Sequence, residues 1–163
     1  MRWFWIDKFI AFESGKRAVA VKNLTMAEEH LHDHVPGYPC MPASLMIEGM
    51  AQTAGILVGE ARNFEEKVIL AKIKRASFTG LARPGQQLRY EAVVDSIAAE
   101  AALTSGKIYC DDREIGQVEL MFSHIDQNMS GLKFPEENFV FNDDFMGLLS
   151  TYAIKRSGQE GNK

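Results

Sequence analysis

Pro36, Pro39 and Pro42 lie close together and are followed at once by a run, Ala43 to about Gly59, in which Glu48 is the single charged residue. Each proline fixes φ, removes a backbone donor and pushes the residue before it out of helical conformation. The stretch His30 to Pro42 therefore reads as a loop without regular structure, held rigid by its prolines. The run that follows is too long for an ordinary strand and apolar on nearly every face. That combination predicts a helix buried at the centre of a fold. Its most apolar part, Leu45 to Val58, is interrupted by Glu48 and Gln52 and is too short to span a bilayer.

The texture on either side of this helix is that of strands. From Lys16 to Leu24 valines and alanines recur, with Gly15 supplying the turn that enters the run. After a polar break from Glu60 to Lys67, strands are predicted near Val68–Ile73, Gln87–Ile97, Glu100–Cys110 and Glu114–Ser123. Arg83-Pro84-Gly85 and Asp111-Asp112-Arg113 mark turns between them. One long buried helix ahead of several antiparallel strands implies an α+β fold, with the helix packed on one face of the sheet. Residues 1–126 read as this domain and residues 127–163 as a C-terminal extension. In the extension a polar linker beyond Asp126 leads to Phe139-Val140-Phe141 and an amphipathic segment from Asp144 to about Lys155. The last eight residues read as frayed.

Composition excludes some functions. With 163 residues the chain is one ordinary domain, and 18 Lys and Arg against 22 Asp and Glu give a net charge of −4. No basic field exists to hold nucleic acid. Cys40 and Cys110 are expected to be free thiols in a reducing compartment. The start of the chain shows no apolar run of signal or anchor length, so a soluble cytoplasmic protein is expected. His30, His32 and His34 alternate in the loop, but no further Cys or His cluster completes a tetrahedral set, so neither a metal nor another cofactor is expected.

Which residues could do chemistry? His34 is followed by Val35-Pro36-Gly37, which stiffens the chain and can hold an imidazole in one orientation, as a general base requires. Glu48 sits mid-helix among apolar neighbours. A carboxyl in such surroundings must be paired, hydrogen-bonded or protonated, and burial makes a carboxyl a plausible general acid. Gln52, four residues on, shares its face and can orient it. The same pair could equally be a buried polar contact that fixes packing. The free N–H groups at the helix start, near Ala43, Ser44 and Leu45, could polarise a carbonyl oxygen; capping by Ser44 or water is the alternative. A base, an acid and an oxyanion hole on adjacent elements suit removal of a proton next to a carbonyl with loss of a β-hydroxyl.

The run from His34-Val35-Pro36-Gly37-Tyr38-Pro39-Cys40-Met41-Pro42 through Glu48-Gly49-Met50-Ala51-Gln52 resembles the signature of FabZ-type (3R)-hydroxyacyl-[acyl carrier protein] dehydratases. The resemblance extends over about residues 3 to 126, including Val21-Lys22-Asn23-Leu24-Thr25, Phe78 to Leu88, and Gln117 to Phe122. The chain departs from the family pattern at Val35, where Phe is usual, and at Ala43, where Gly is usual. The family implies a hotdog fold, a long central helix wrapped by a curved antiparallel sheet. It also implies a homodimer with composite active sites, or a hexamer built as a trimer of dimers.

By this resemblance His34 would remove the α-proton and Glu48 would protonate the departing hydroxyl. Amides at Ala43 and Ser44 would hold the thioester carbonyl, with Gly37 and Gln52 in the substrate site. Phe78, Met50 and Leu81 are candidates for an apolar acyl tunnel. The partner would be acyl carrier protein, an acidic protein that needs a local basic patch. Lys72, Lys74, Arg75 and Arg83 are the densest candidates. The rival readings are a dehydratase/isomerase, which usually has Asp in place of Glu48, a hotdog thioesterase, and a silent carrier-binding protein, at which Ala43 alone hints.

Overall fold

The computed structural model describes residues 4–125 and 135–151. The expected linker after Asp126 and the frayed end fall outside these residues. Six strands form one antiparallel sheet: β1 (Lys8–Glu13), β2 (Arg17–Asn23), β3 (Val68–Phe78), β4 (Gln87–Ile97), β5 (Ala101–Cys110) and β6 (Arg113–His124). Their order is β1-β2-β4-β5-β6-β3, so β1 and β3 are the edges. Helix α1 is His30–Asp33, and the long helix α2 is Ala43–Glu60. Helix α2 lies against β2, β3, β4, β5 and β6. From Gly49 onward every residue of the helix but the half-buried Gly55 is buried, as its apolar circumference requires.

Three elements differ from the sequence reading. A single helical turn, α1, occupies part of the expected loop, because the restriction on the backbone begins only at Val35, the residue before Pro36. Strand β1 was not expected; its apolar residues do not alternate strictly, and a bulge between Phe9 and Ala11 shifts its register against β2. Strand β3 runs on to Phe78 rather than stopping at Ile73. It pairs with β6 alone and is largely exposed, so it carries no inside–outside alternation, and two bulges interrupt its ladder.

Glycines let α2 sit close to the sheet. A Cβ on Gly49 would lie 2.5 Å from the Tyr90 ring, and one on Gly106 would lie 2.4 Å from the Met50 sulfur. Tyr90 is fully buried, so its ring has nowhere to go. Gly49→Ala is therefore expected to overpack the core and lower stability by about 1–3 kcal/mol. A denaturation midpoint equal to wild type would show that the ring yields freely.

The C-terminal segment is built into the domain. Asn138 accepts hydrogen bonds from the N–H groups of Val140 and Phe141 and donates to the carbonyls of Phe64 and Glu66. The Asn142 side chain accepts from the Phe145 N–H at the start of helix α3 (Asp143–Thr151), as an N-cap does. Helix α3 matches the expected amphipathic segment, whose remainder to Lys155 lies outside the described residues. Cys40 and Cys110 are both free and buried, and burial pushes the Cys110 thiol up. Among the described residues no helix is long and apolar enough to cross a membrane.

Candidate active site

The proline-rich loop is tied down on one side. The Met41 N–H donates to the Ala82 carbonyl (2.8 Å), and the Arg83 guanidinium lies 4.5 Å over the Tyr38 ring and hydrogen-bonds its hydroxyl. Gly37 has φ +74°, a left-handed conformation that β-carbon-bearing residues rarely adopt. With the Tyr38 N–H bonded to the Val35 carbonyl it closes a tight turn. His34 sits at the C-terminal end of α1, exposed, immediately before this turn.

Pro42 is the N-cap residue of α2, with φ −58° and ψ 139°, and no side chain caps the helix. Ser44 thus does not act as the cap. The Leu45 and Met46 N–H groups both donate to the Pro42 carbonyl (3.0 and 3.1 Å). Leu45 is therefore removed from the expected set of free amides. Ala43 and Ser44, both exposed, occupy the first two helical positions, whose N–H groups have no partner within a helix.

Glu48 is half-buried rather than sunk in the core. Gln52 is 4% exposed and donates to the Glu48 carboxylate (3.0 Å), while its own Oε1 accepts the Trp5 N–H (2.8 Å). The amide is engaged at both ends, so it holds the carboxylate from one side. Trp5 in turn meets the His30 ring edge-on at 5.1 Å, and burial pushes the His30 imidazole down. His32 Nε2 contacts the Met26 carbonyl. The three histidines thus occupy three different settings, and no metal-binding cluster occurs among the described residues.

Glu48 opens onto a cleft of about 200 Å³. Its walls are Glu48, Ala51, Gln52 and Gly55 of α2, Val68, Ile69 and Leu70 at the start of β3, Phe122 of β6, and Val140 and Phe141 of the C-terminal segment. His34 is not on these walls. Of the tunnel candidates, Met50 is packed in the core beneath Gly106, Phe78 rests on Gly116 at the far end of β3, and Leu81 is exposed. Lys72 and Lys74 are exposed on β3. Arg75 borders a separate hollow with Glu91 and Glu119, and Arg83 stacks on the proline loop. Trp5, Val140 and Phe141 were not anticipated at the site. The apolar triplet Phe139-Val140-Phe141 was a visible signal, but nothing local ties it to Glu48.

Residues 3–119 match the model of the FabA-like domain family. The chain is 35% identical over 129 residues to the 3-hydroxyacyl-[acyl-carrier-protein] dehydratase FabZ of Campylobacter fetus, covering 75% of this chain and 87% of that one. It is 41% identical over 119 residues to the corresponding enzyme of Fusobacterium nucleatum, covering 72% and 83%. Among solved structures it resembles smu.793 from Streptococcus mutans bound to acetyl CoA, with a TM-score of 0.62 at 9% identity over 76% of this chain and 91% of that one. It also resembles the E. coli PaaI protein, with a TM-score of 0.59 at 12% identity over 74% and 79%. The helix wrapped by a six-stranded antiparallel sheet is the hotdog fold that the sequence implied, and the chain belongs to the FabA-like family.

Proposed function

We propose that the protein dehydrates (3R)-hydroxyacyl groups on acyl carrier protein to trans-2-enoyl thioesters, in fatty acid biosynthesis and in the cytoplasm. The observation that carries this reading is a carboxyl group, that of Glu48, held by Gln52 on the wall of an apolar cleft; it enters the step protonated. His34 takes the proton from the α-carbon. The N–H groups of Ala43 and Ser44 stabilise the negative charge that develops on the thioester oxygen. Glu48 gives a proton to the β-hydroxyl, which leaves as water while the α,β double bond forms. His34 has then gained one proton and Glu48 has lost one, and exchange with solvent restores both.

The placement of His34 supports a composite site. It is exposed at the end of α1 and is not among the residues lining the Glu48 cleft, and that cleft is bordered by β3, whose outer edge is unpaired among the described residues. Leu70 and Ile73 on this strand are 37% and 45% exposed. A second copy paired along β3 covers that edge and lets His34 of one subunit serve Glu48 of the other. A trimer of such dimers is the larger assembly.

The test is to mix purified protein with a 3-hydroxyacyl carrier thioester and follow enoyl absorbance. Enoyl product is expected; release of free thiol, or no reaction at all, overturns the reading. Carrier docking is assigned to Lys72, Lys74 and Arg75, exposed on β3, and to Arg83, as basic residues on an acidic chain. Lys74→Glu combined with Arg75→Glu is expected to raise KM for carrier-linked substrate and flatten its salt dependence. An equal loss with a small thioester lacking the carrier would mean that the substitutions damaged the site itself.

A further inference from the structure

We propose that Val140 and Phe141 of the C-terminal segment form the floor of the acyl site and set the longest acyl chain the enzyme accepts. The inference rests on the dehydratase reading above. One continuous cleft has the Glu48 carboxylate and these two side chains on its walls. The wall between them, made by Ala51 and Gly55 of α2 and by Phe122, is apolar and suits an alkyl chain rather than a polar group.

Phe141 stands well away from the carboxylate. Its ring packs on Gly59, where a Cβ would come within 2.6 Å of it. Gly59 follows Glu48 by three helical turns, about 16 Å along the axis. An acyl chain that leaves Glu48 and follows α2 therefore runs along the small residue Gly55 and ends against Phe141.

The floor is rigid. Phe141 is 6% exposed, and its ring lies 5.0 Å from that of Phe64 and 5.4 Å from that of Phe145. Asn138 pins the backbone of both wall residues and bonds to the Phe64 and Glu66 carbonyls. Side chains held in this way cannot swing aside at small cost. The segment also lies beyond residues 3–119, the part that matches the family model. The length limit is thus supplied by a part of this chain outside the shared domain.

The experiment compares kcat/KM for 3-hydroxybutyryl, 3-hydroxyoctanoyl and 3-hydroxyhexadecanoyl carrier thioesters, using the full chain. Wild type is expected to favour the shorter substrates. Phe141→Ala should raise the ratio of longest to shortest substrate by roughly tenfold or more, the discrimination that one or two buried methylenes provide. Phe141→Leu should move the ratio in the same direction by less, and Val140→Phe should move it the opposite way. Thermal melts establish which variants fold, and Phe141→Leu keeps the comparison available if the alanine variant does not. A ratio that stays at the wild-type value in folded Phe141→Leu and Val140→Phe overturns the assignment while leaving the dehydratase reading intact. Absence of dehydration by wild type at every length overturns both.

Discussion

His34→Ala and Glu48→Gln are each expected to lower kcat for dehydration by about 10²–10⁴-fold, the usual contribution of a positioned general base or acid. Neither change should disturb the fold. His34 is exposed, so truncating it removes little packing. Glutamine at position 48 has the shape of the native side chain and still offers an oxygen to the Gln52 amide, which donates to Glu48 at 3.0 Å. It has no proton of suitable acidity to give. The check is kcat from enoyl absorbance beside circular dichroism and oligomeric state. Turnover within a few-fold of wild type in either folded variant would remove that residue from the chemistry.

The second large effect concerns mixed assemblies. His34→Ala and Glu48→Gln subunits, each nearly inactive alone, are expected to recover roughly a quarter of wild-type activity after exchange, because half of the dimers are mixed and each mixed dimer has one intact site of two. The other site in such a dimer lacks both groups. The geometric basis is that Glu48 opens onto a cleft bordered by β3, while His34 is on none of its walls. Activity that stays at the level of the separate variants after verified exchange would mean that each site is completed within one chain.

Local periodicity and backbone chemistry made much of this protein legible in advance. The prolines at 36, 39 and 42 forced a loop and placed the start of α2 at Ala43. Strands β4, β5 and β6 followed from runs whose residues alternate between core and surface, and the turn at Asp111 from its polar residues. The proposal that His34 and Glu48 act together rests on family spacing, whereas the contact of Gln52 with Glu48 followed from its place four residues along the same helix face.

Contacts distant in the chain decided the rest. The extent of β3 depends on pairing with β6, since an exposed edge strand leaves no alternating pattern to read. Leu45 dropped out of the amide set because its N–H turns back to the Pro42 carbonyl. Trp5 reaches Gln52, and Phe141 reaches Gly59, only because the sheet and the C-terminal segment fold onto α2. Such partners lie tens of residues apart, and their meeting depends on how side chains fill the space between packed elements, which no local pattern encodes.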